Sequence, residues 1–148
     1  MRLAVVTTDF PPQGGGIATL LADLARACSQ KCRVTVLAPS VPGAEGFDRR
    51  QPYPVLRLRG PAPLRELASL RSLARLAGTE GLDVVACGSW FPAGLVAYLL
   101  WRRRRIPYLV LAYGSEIVDD WRTPRRAVKS LLRPLKRRIL GHAATLVA

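Results

Sequence analysis

The chain has 148 residues, enough for one ordinary domain with a proper core. Hydrophobic residues make up 49% of it, which excludes a disordered tail. Its 23 Lys and Arg against 10 Asp and Glu leave a formal net charge of +13, a field that favours anionic partners: phosphorylated substrates, nucleic acid or an acidic membrane surface.

The elements alternate from the start. Met1-Arg2-Leu3-Ala4-Val5-Val6 runs straight into a short apolar strand over Leu3 to Thr7, which is not the shape of a signal peptide. Ile17 to Cys28 follows as a helix, with Ile17, Leu20, Leu21, Leu24 and Cys28 at helical spacing. Arg33 to Ala38 is a Val-rich strand, Pro39 to Pro54 reads as loop, and Tyr53 to Leu58 as a third strand. Leu64 to Ala77 predicts an amphipathic helix, with Leu64, Leu67, Leu70, Leu73 and Leu76 on one side and Gly78 and Gly81 as its end. Leu82 to Cys87 is a buried strand, Pro92 to Arg105 a helix with Pro in its first turn, and Tyr108 to Ala112 another strand. Thr123-Pro124 opens a long basic helix that Pro134 should kink or restart, and Ala144 to Ala148 begins a last strand.

Short apolar strands between amphipathic helices predict an α/β domain whose mostly parallel sheet is covered on both faces, over residues 1–148. The chain stops inside a strand pattern, so a second domain is expected to follow it. The longest apolar run, Pro92 to Trp101, is about half of the ~20 residues that a membrane span needs. Cys28, Cys32, Cys87 and the lone His142 form no metal-ligand or disulfide spacing; the cysteines read as small buried hydrophobes in a reducing cytosol, and no metal or cofactor is expected.

Ligands of open parallel sheets bind outside the carboxyl ends of the strands. That rule selects four segments. In Thr8-Asp9-Phe10-Pro11-Pro12-Gln13-Gly14-Gly15-Gly16, three glycines and a helix N-terminus offer N–H donors to a phosphate, with Asp9 beside them. The same glycines could simply make a turn; they match neither the dinucleotide fingerprint nor a P-loop. Ser40 to Gly46 is the second segment. Gly88-Ser89-Trp90-Phe91 could line an acceptor site through the Ser89 hydroxyl, or Ser89 could cap a helix with both rings in the core. Tyr113-Gly114-Ser115-Glu116 gathers a phenol, a hydroxyl and a carboxylate, unless Glu116 only caps a helix or pairs with an Arg. Farther on, Arg122, Arg125, Arg126, Lys129, Arg133, Lys136, Arg137 and Arg138 share one side of the last helix, opposite Val128, Leu131, Leu132, Leu135 and Ile139. Such a helix can lie on an anionic membrane, or pack on the core with a solvated basic face. Arg102 to Arg105 after Trp101 form a second basic cluster, either an interface or a helix-ending charge run.

Taken in order, these motifs resemble the N-terminal domain of family-4-like glycosyltransferases of the GT-B fold. The likeness rests on the opening strand with Phe10-Pro11-Pro12 and Gly14-Gly15-Gly16, on Val34-Thr35-Val36-Leu37, on Tyr113-Gly114-Ser115-Glu116, and on His142 to Ala148. It implies a three-layer Rossmann-like domain that holds the acceptor, with a donor-binding C-terminal domain outside this chain. It further implies a nucleotide-diphosphate sugar as donor substrate, retention of configuration, no obligatory metal, and a glycan or lipid-linked acceptor. Gly14, Gly15 and Gly16, with Asp9, Ser89, Gly114 and Ser115, then become donor-phosphate and acceptor contacts, and Tyr113 and Glu116 the catalytic pair. Tyr113 stands where the family's histidine falls. Arg125, Arg126, Lys129, Arg133, Lys136 and Arg137 become membrane or anion contacts at the inner face of the plasma membrane. The alternative is a non-catalytic membrane-surface or partner-docking module built on the same fold. No recognition motif points to nucleic acid.

Overall fold

A computed structural model describes residues 1–113 and 126–147, and of residues 126–131 the backbone alone. The elements are β1 (Arg2–Val6), α1 (Gly16–Ser29), β2 (Arg33–Pro39), α2 (Ala44–Asp48), β3 (Val55–Leu58), α3 (Ala62–Thr79), β4 (Val84–Cys87), α4 (Ala93–Arg104), β5 (Tyr108–Leu111), α5 (Arg126–Gly141) and β6 (Thr145–Val147). The six strands form one sheet in the order β3-β2-β1-β4-β5-β6, and every pairing is parallel. The order reverses between β1 and β4, the switch point at which such sheets open a crevice.

Both faces of the sheet are covered, because consecutive residues of each strand point to opposite sides. Leu3, Val5, Val36 and Ala86 meet Leu21, Ala22 and Ala25 of α1 on one side. Ala4, Val6, Val85 and Val110 meet Leu73 of α3, Val96 and Leu100 of α4 and Ile139 of α5 on the other. The strand order places the helices in this way: the chain runs outward through β2 and β3, then returns through β4, β5 and β6. Tyr108 Oη donates to the Ile139 carbonyl, which ties α5 to β5 in the interior.

Three expectations change. The Pro39 to Pro54 segment holds a one-turn helix, α2, which Phe47 and Asp48 anchor through tertiary contacts. The apolar face of α3 is not its leucine row. Leu64 is 62% and Leu67 43% exposed, while Ser69, Leu73 and Leu76 are buried. A three-residue repeat slips by about 60° per step on a helix of 3.6 residues per turn, so the row winds from solvent to core. In α1, likewise, Leu20 is exposed and Ala18, Ala22 and Ala25 occupy the sheet side, which lets the helix lie close.

The helix ends also shift. Gly78 lies within α3, and Gly81, with φ 73°, makes the left-handed turn that starts the return to β4. The helical pattern of α5 continues through Pro134 rather than restarting there.

Candidate functional site

The candidate site lies at the carboxyl edge of the sheet, above the β1–β4 switch point. The chain leaves β1 through Thr7, whose hydroxyl donates to the Asp9 carbonyl and accepts from the Asp9 N–H, each at 3.0 Å. The Asp9 carboxylate accepts from Thr8 Oγ1 at 3.2 Å. Phe10 is fully buried and stands edge-on to Phe47, with ring centroids 5.8 Å apart. Past these anchors the chain opens to solvent as Gln13 to Gly16.

Gly15 has φ 143°, a conformation that only glycine adopts without strain, and a Cβ on any of Gly14, Gly15 or Gly16 would meet nothing within 4 Å. The glycines are therefore needed for backbone shape at Gly15 and leave open space around all three. The first bond of α1 runs from the Thr19 N–H to the Gly15 carbonyl at 3.1 Å. The N–H groups of Gly16, Ile17 and Ala18 precede it and have no intrahelical acceptor. No side chain caps this end and no acid lies in the first turn, so its partial positive charge is uncompensated there. A phosphate-sized anion fits the chemistry of that opening.

One residue that the sequence motifs did not single out holds the loop in place. Arg57, in the middle of β3, is only 12% exposed and pairs with Asp48 through Nε at 3.0 Å and Nη2 at 2.8 Å. Its Nη1 donates to the Pro39 carbonyl at 2.9 Å and its Nη2 to the Pro11 carbonyl. Its guanidinium also lies 5.5 Å from the Phe10 ring centre. A single cation thus joins the glycine loop, the end of β2 and α2. The signal was present: an arginine inside an otherwise apolar strand needs a buried partner.

At the next strand end, Gly88 closes the switch point. Its N–H donates to the Val6 carbonyl at 2.8 Å, and a Cβ there would stand 2.7 Å from Thr7 Oγ1. Ser89 is buried, and its hydroxyl donates to the Phe91 carbonyl at 2.9 Å, closing a turn; Pro92 occupies the cap position of α4. Trp90 packs against the core beneath Lys136, whose Nζ is 5.7 Å from the ring centre, while Phe91 is exposed. Tyr113 packs on the same apolar cluster as Phe10 and Ile17, so the structure brings the end of β5 and the root of the glycine loop to one core. Gly114, Ser115, Glu116 and Arg125 lie outside the described residues, and Arg126 and Lys129 belong to the part of α5 described by backbone alone.

The basic face of α5 lies apart from the loop. Arg133, Lys136 and Arg137 line a cavity of about 470 Å³ with Leu140 and Leu146, while Ile139 is fully buried. Cys87 is fully enclosed, and burial pushes its thiol pKa up, which removes it as a nucleophile. No helix among the described residues is long and apolar enough to cross a membrane.

Known proteins resemble this chain in sequence and in fold. The model of Glycosyltransferase Family 4 matches residues 14–148. The GDP-mannose-dependent alpha-(1-6)-phosphatidylinositol monomannoside mannosyltransferase of Mycolicibacterium smegmatis is 30% identical over 118 residues, which are 78% of this chain and 31% of that protein. The chain therefore spans about a third of the curated relative it matches. Among solved structures, Anabaena HepE in complex with UDP-glucose superposes with a TM-score of 0.66 at 14% identity, over 100% of this chain and 37% of its own. The UDP-GlcNAc 2-epimerase of Methanocaldococcus jannaschii superposes with a TM-score of 0.62 at 16% identity, over 100% and 39%. These two likenesses speak for the Rossmann-like fold alone, since one fold hosts many activities. The family match and the mannosyltransferase relative carry the identification: the chain belongs to glycosyltransferase family 4.

Proposed function

We propose that the chain is the acceptor-side half of a glycosyltransferase that moves a sugar from a nucleotide-diphosphate donor to a lipid-linked or cell-envelope glycan acceptor, with retention of configuration. A donor-binding domain supplies the other wall of the cleft. The observation that carries this function is the open Gly14-Gly15-Gly16 loop at an uncapped helix N-terminus, set at the switch point of the sheet. The Mycolicibacterium smegmatis relative, named for GDP-mannose and a phosphatidylinositol mannoside, supports both the donor class and the lipid acceptor.

The chemistry follows from charge. As the glycosidic bond to the donor breaks, the diphosphate gathers negative charge. N–H groups already aimed at that position lower the barrier without reorganising. Gly16, Ile17 and Ala18 present such groups, and Gly15 gives the backbone the turn that exposes them. Tyr113 would hydrogen-bond a sugar hydroxyl, which a phenol can do as donor or acceptor. Since the N–H donors carry the charge, transfer needs no divalent metal and survives EDTA.

The test is Gly15→Val in the protein expressed from its own gene, with transfer of radiolabel from GDP-mannose and UDP-glucose into the lipid and glycan fractions of membranes. A fall of about 100-fold or more is expected, the size of losing one aligned donor. Transfer at the wild-type rate would remove the loop from the mechanism, and an inverted product anomer would remove retention. Tyr113 in the histidine position favours a second function, a non-catalytic docking module. Membrane binding with no transfer from any nucleotide sugar selects it.

A further inference from the structure

Beside the glycine loop, the ends of β2 and β3 and the start of α2 line an open hollow of about 610 Å³, within the size range of small-ligand sites. Its lining includes Ser40, Arg49, Arg57 and Arg59, with Glu45 as the acid. The charges do not cancel. Arg49 pairs with Glu45 at 3.3 Å, and Arg57 pairs with Asp48 at 2.8 Å. Arg59 has neither an ion pair nor a hydrogen bond among the described residues, and neither does the Ser40 hydroxyl. Of the five N–H groups of an arginine, Arg57 uses four on Asp48, Pro39 and Pro11, so one Nη1–H remains. The hollow thus presents the exposed guanidinium of Arg59 without an acid partner, the exposed Ser40 hydroxyl and one unused N–H of the sheltered Arg57. It also shares Arg57 with the glycine loop, which Arg57 grips at the Pro11 carbonyl.

We propose that this hollow is a phosphoryl subsite for the acceptor: Arg59 and Ser40, with the remaining N–H of Arg57, hold a phosphate carried by the molecule that receives the sugar. This assignment rests on the transferase function proposed above and narrows it to phosphorylated acceptors. A phosphomonoester suits the lining better than a carboxylate, since its three terminal oxygens can each meet a separate donor. The planar fork of Arg59 favours the same group.

The test is binding to the 148-residue chain followed by amide NMR, with glucose 1-phosphate and glycerol phosphate against glucose and glucuronate. Saturable shifts around Ser40 and Arg59 are expected from the two phosphates, with affinity about ten-fold or more above the other two probes. Arg59→Gln should weaken the phosphates by about the same factor, and Arg104→Gln, an exposed charge outside this hollow, should not. No saturable shift, equal binding of glucuronate, or equal loss in both variants overturns the subsite. Displacement of the phosphates by saturating GDP-mannose overturns the acceptor assignment, because the group held would then be the donor's own diphosphate. Glycosyl transfer is scored separately: phosphate binding without transfer in the Gly15 experiment leaves the subsite and removes the transferase, and transfer without phosphate binding does the reverse.

Discussion

At Gly88 a Cβ would lie 2.7 Å from Thr7 Oγ1 and 2.9 Å from Leu21 Cδ1, so the contact that joins β4 to β1 leaves no room for a side chain. Gly88→Ala is expected to lose about 1–3 kcal/mol, as overpacked cores do, and to lower the thermal midpoint by several degrees. An unchanged midpoint would mean that β4 can move away from Thr7 freely. Glu66 makes a second residue-scale prediction. It lies a turn before the buried Ser69 on α3 and is itself half-buried. Its Oε1 is buried without a hydrogen bond, 3.4 Å from Arg65 Nε. Burial raises its carboxyl pKa above the ordinary value, against the pull of Arg65. The unfolded chain therefore releases this proton first as pH rises. Stability is fullest below the ordinary carboxylate pKa and falls until the folded-state pKa is passed. Glu66→Gln should be more stable than wild type at neutral pH, by about 1 kcal/mol or less because the group is partly exposed. That advantage should vanish on acidification below about pH 4.3. A difference that does not change with pH would show that the carboxyl is solvated in the folded state.

The strands were legible because each is a short, mostly apolar run, and a sheet buried on both faces asks for nothing more specific. The helices were legible in extent but not in orientation. For α3, the leucine row and the buried face coincide only from Leu70 onward, since the period-three row drifts around the helix. Leu73→Ala should therefore cost about 2–5 kcal/mol and Leu67→Gln less than about 0.5 kcal/mol, although both belong to one sequence pattern. Similar losses for the two would return Leu67 to the core. The site was half legible. Its glycines carry their meaning in local conformation, whereas Arg57 carries its meaning in contacts to residues 9, 18 and 46 positions away. Arg57→Leu leaves the Asp48 carboxylate unpaired and two carbonyls without their donor, and should cost about 3 kcal/mol or more in urea unfolding. Adding Asp48→Leu should recover part of that loss. Two losses that simply add would mean that the pair is not a unit.

Over the whole molecule, a charge of +13 has to be placed before it can be given a role. A basic amphipathic helix can reach a membrane in two ways, by inserting its apolar side or by resting its charges on the headgroups. Among the described side chains of α5 the first way is closed. Ile139 is fully buried, and Leu135 packs against the same core, so this part of the apolar stripe already faces α4 and the sheet. What α5 can offer a membrane is its charge, including exposed Arg133 and Arg137 beside Lys136. Docking should then be electrostatic: the chain should sediment with vesicles of mixed anionic and zwitterionic lipid, and not with purely zwitterionic ones. Raising the salt to about 1 M shortens the screening length to about 3 Å and should release it. Replacing Arg133, Lys136 and Arg137 together by Gln removes about 1 kcal/mol each, hence roughly 100-fold in vesicle affinity. The circular dichroism spectrum should hardly change, because none of the three is fully buried. Binding that persists in high salt, or on zwitterionic vesicles, would require an apolar anchor. The exposed Leu64, Leu67 and Phe91 are the first place to look for it, since Ile139 is already committed to the core.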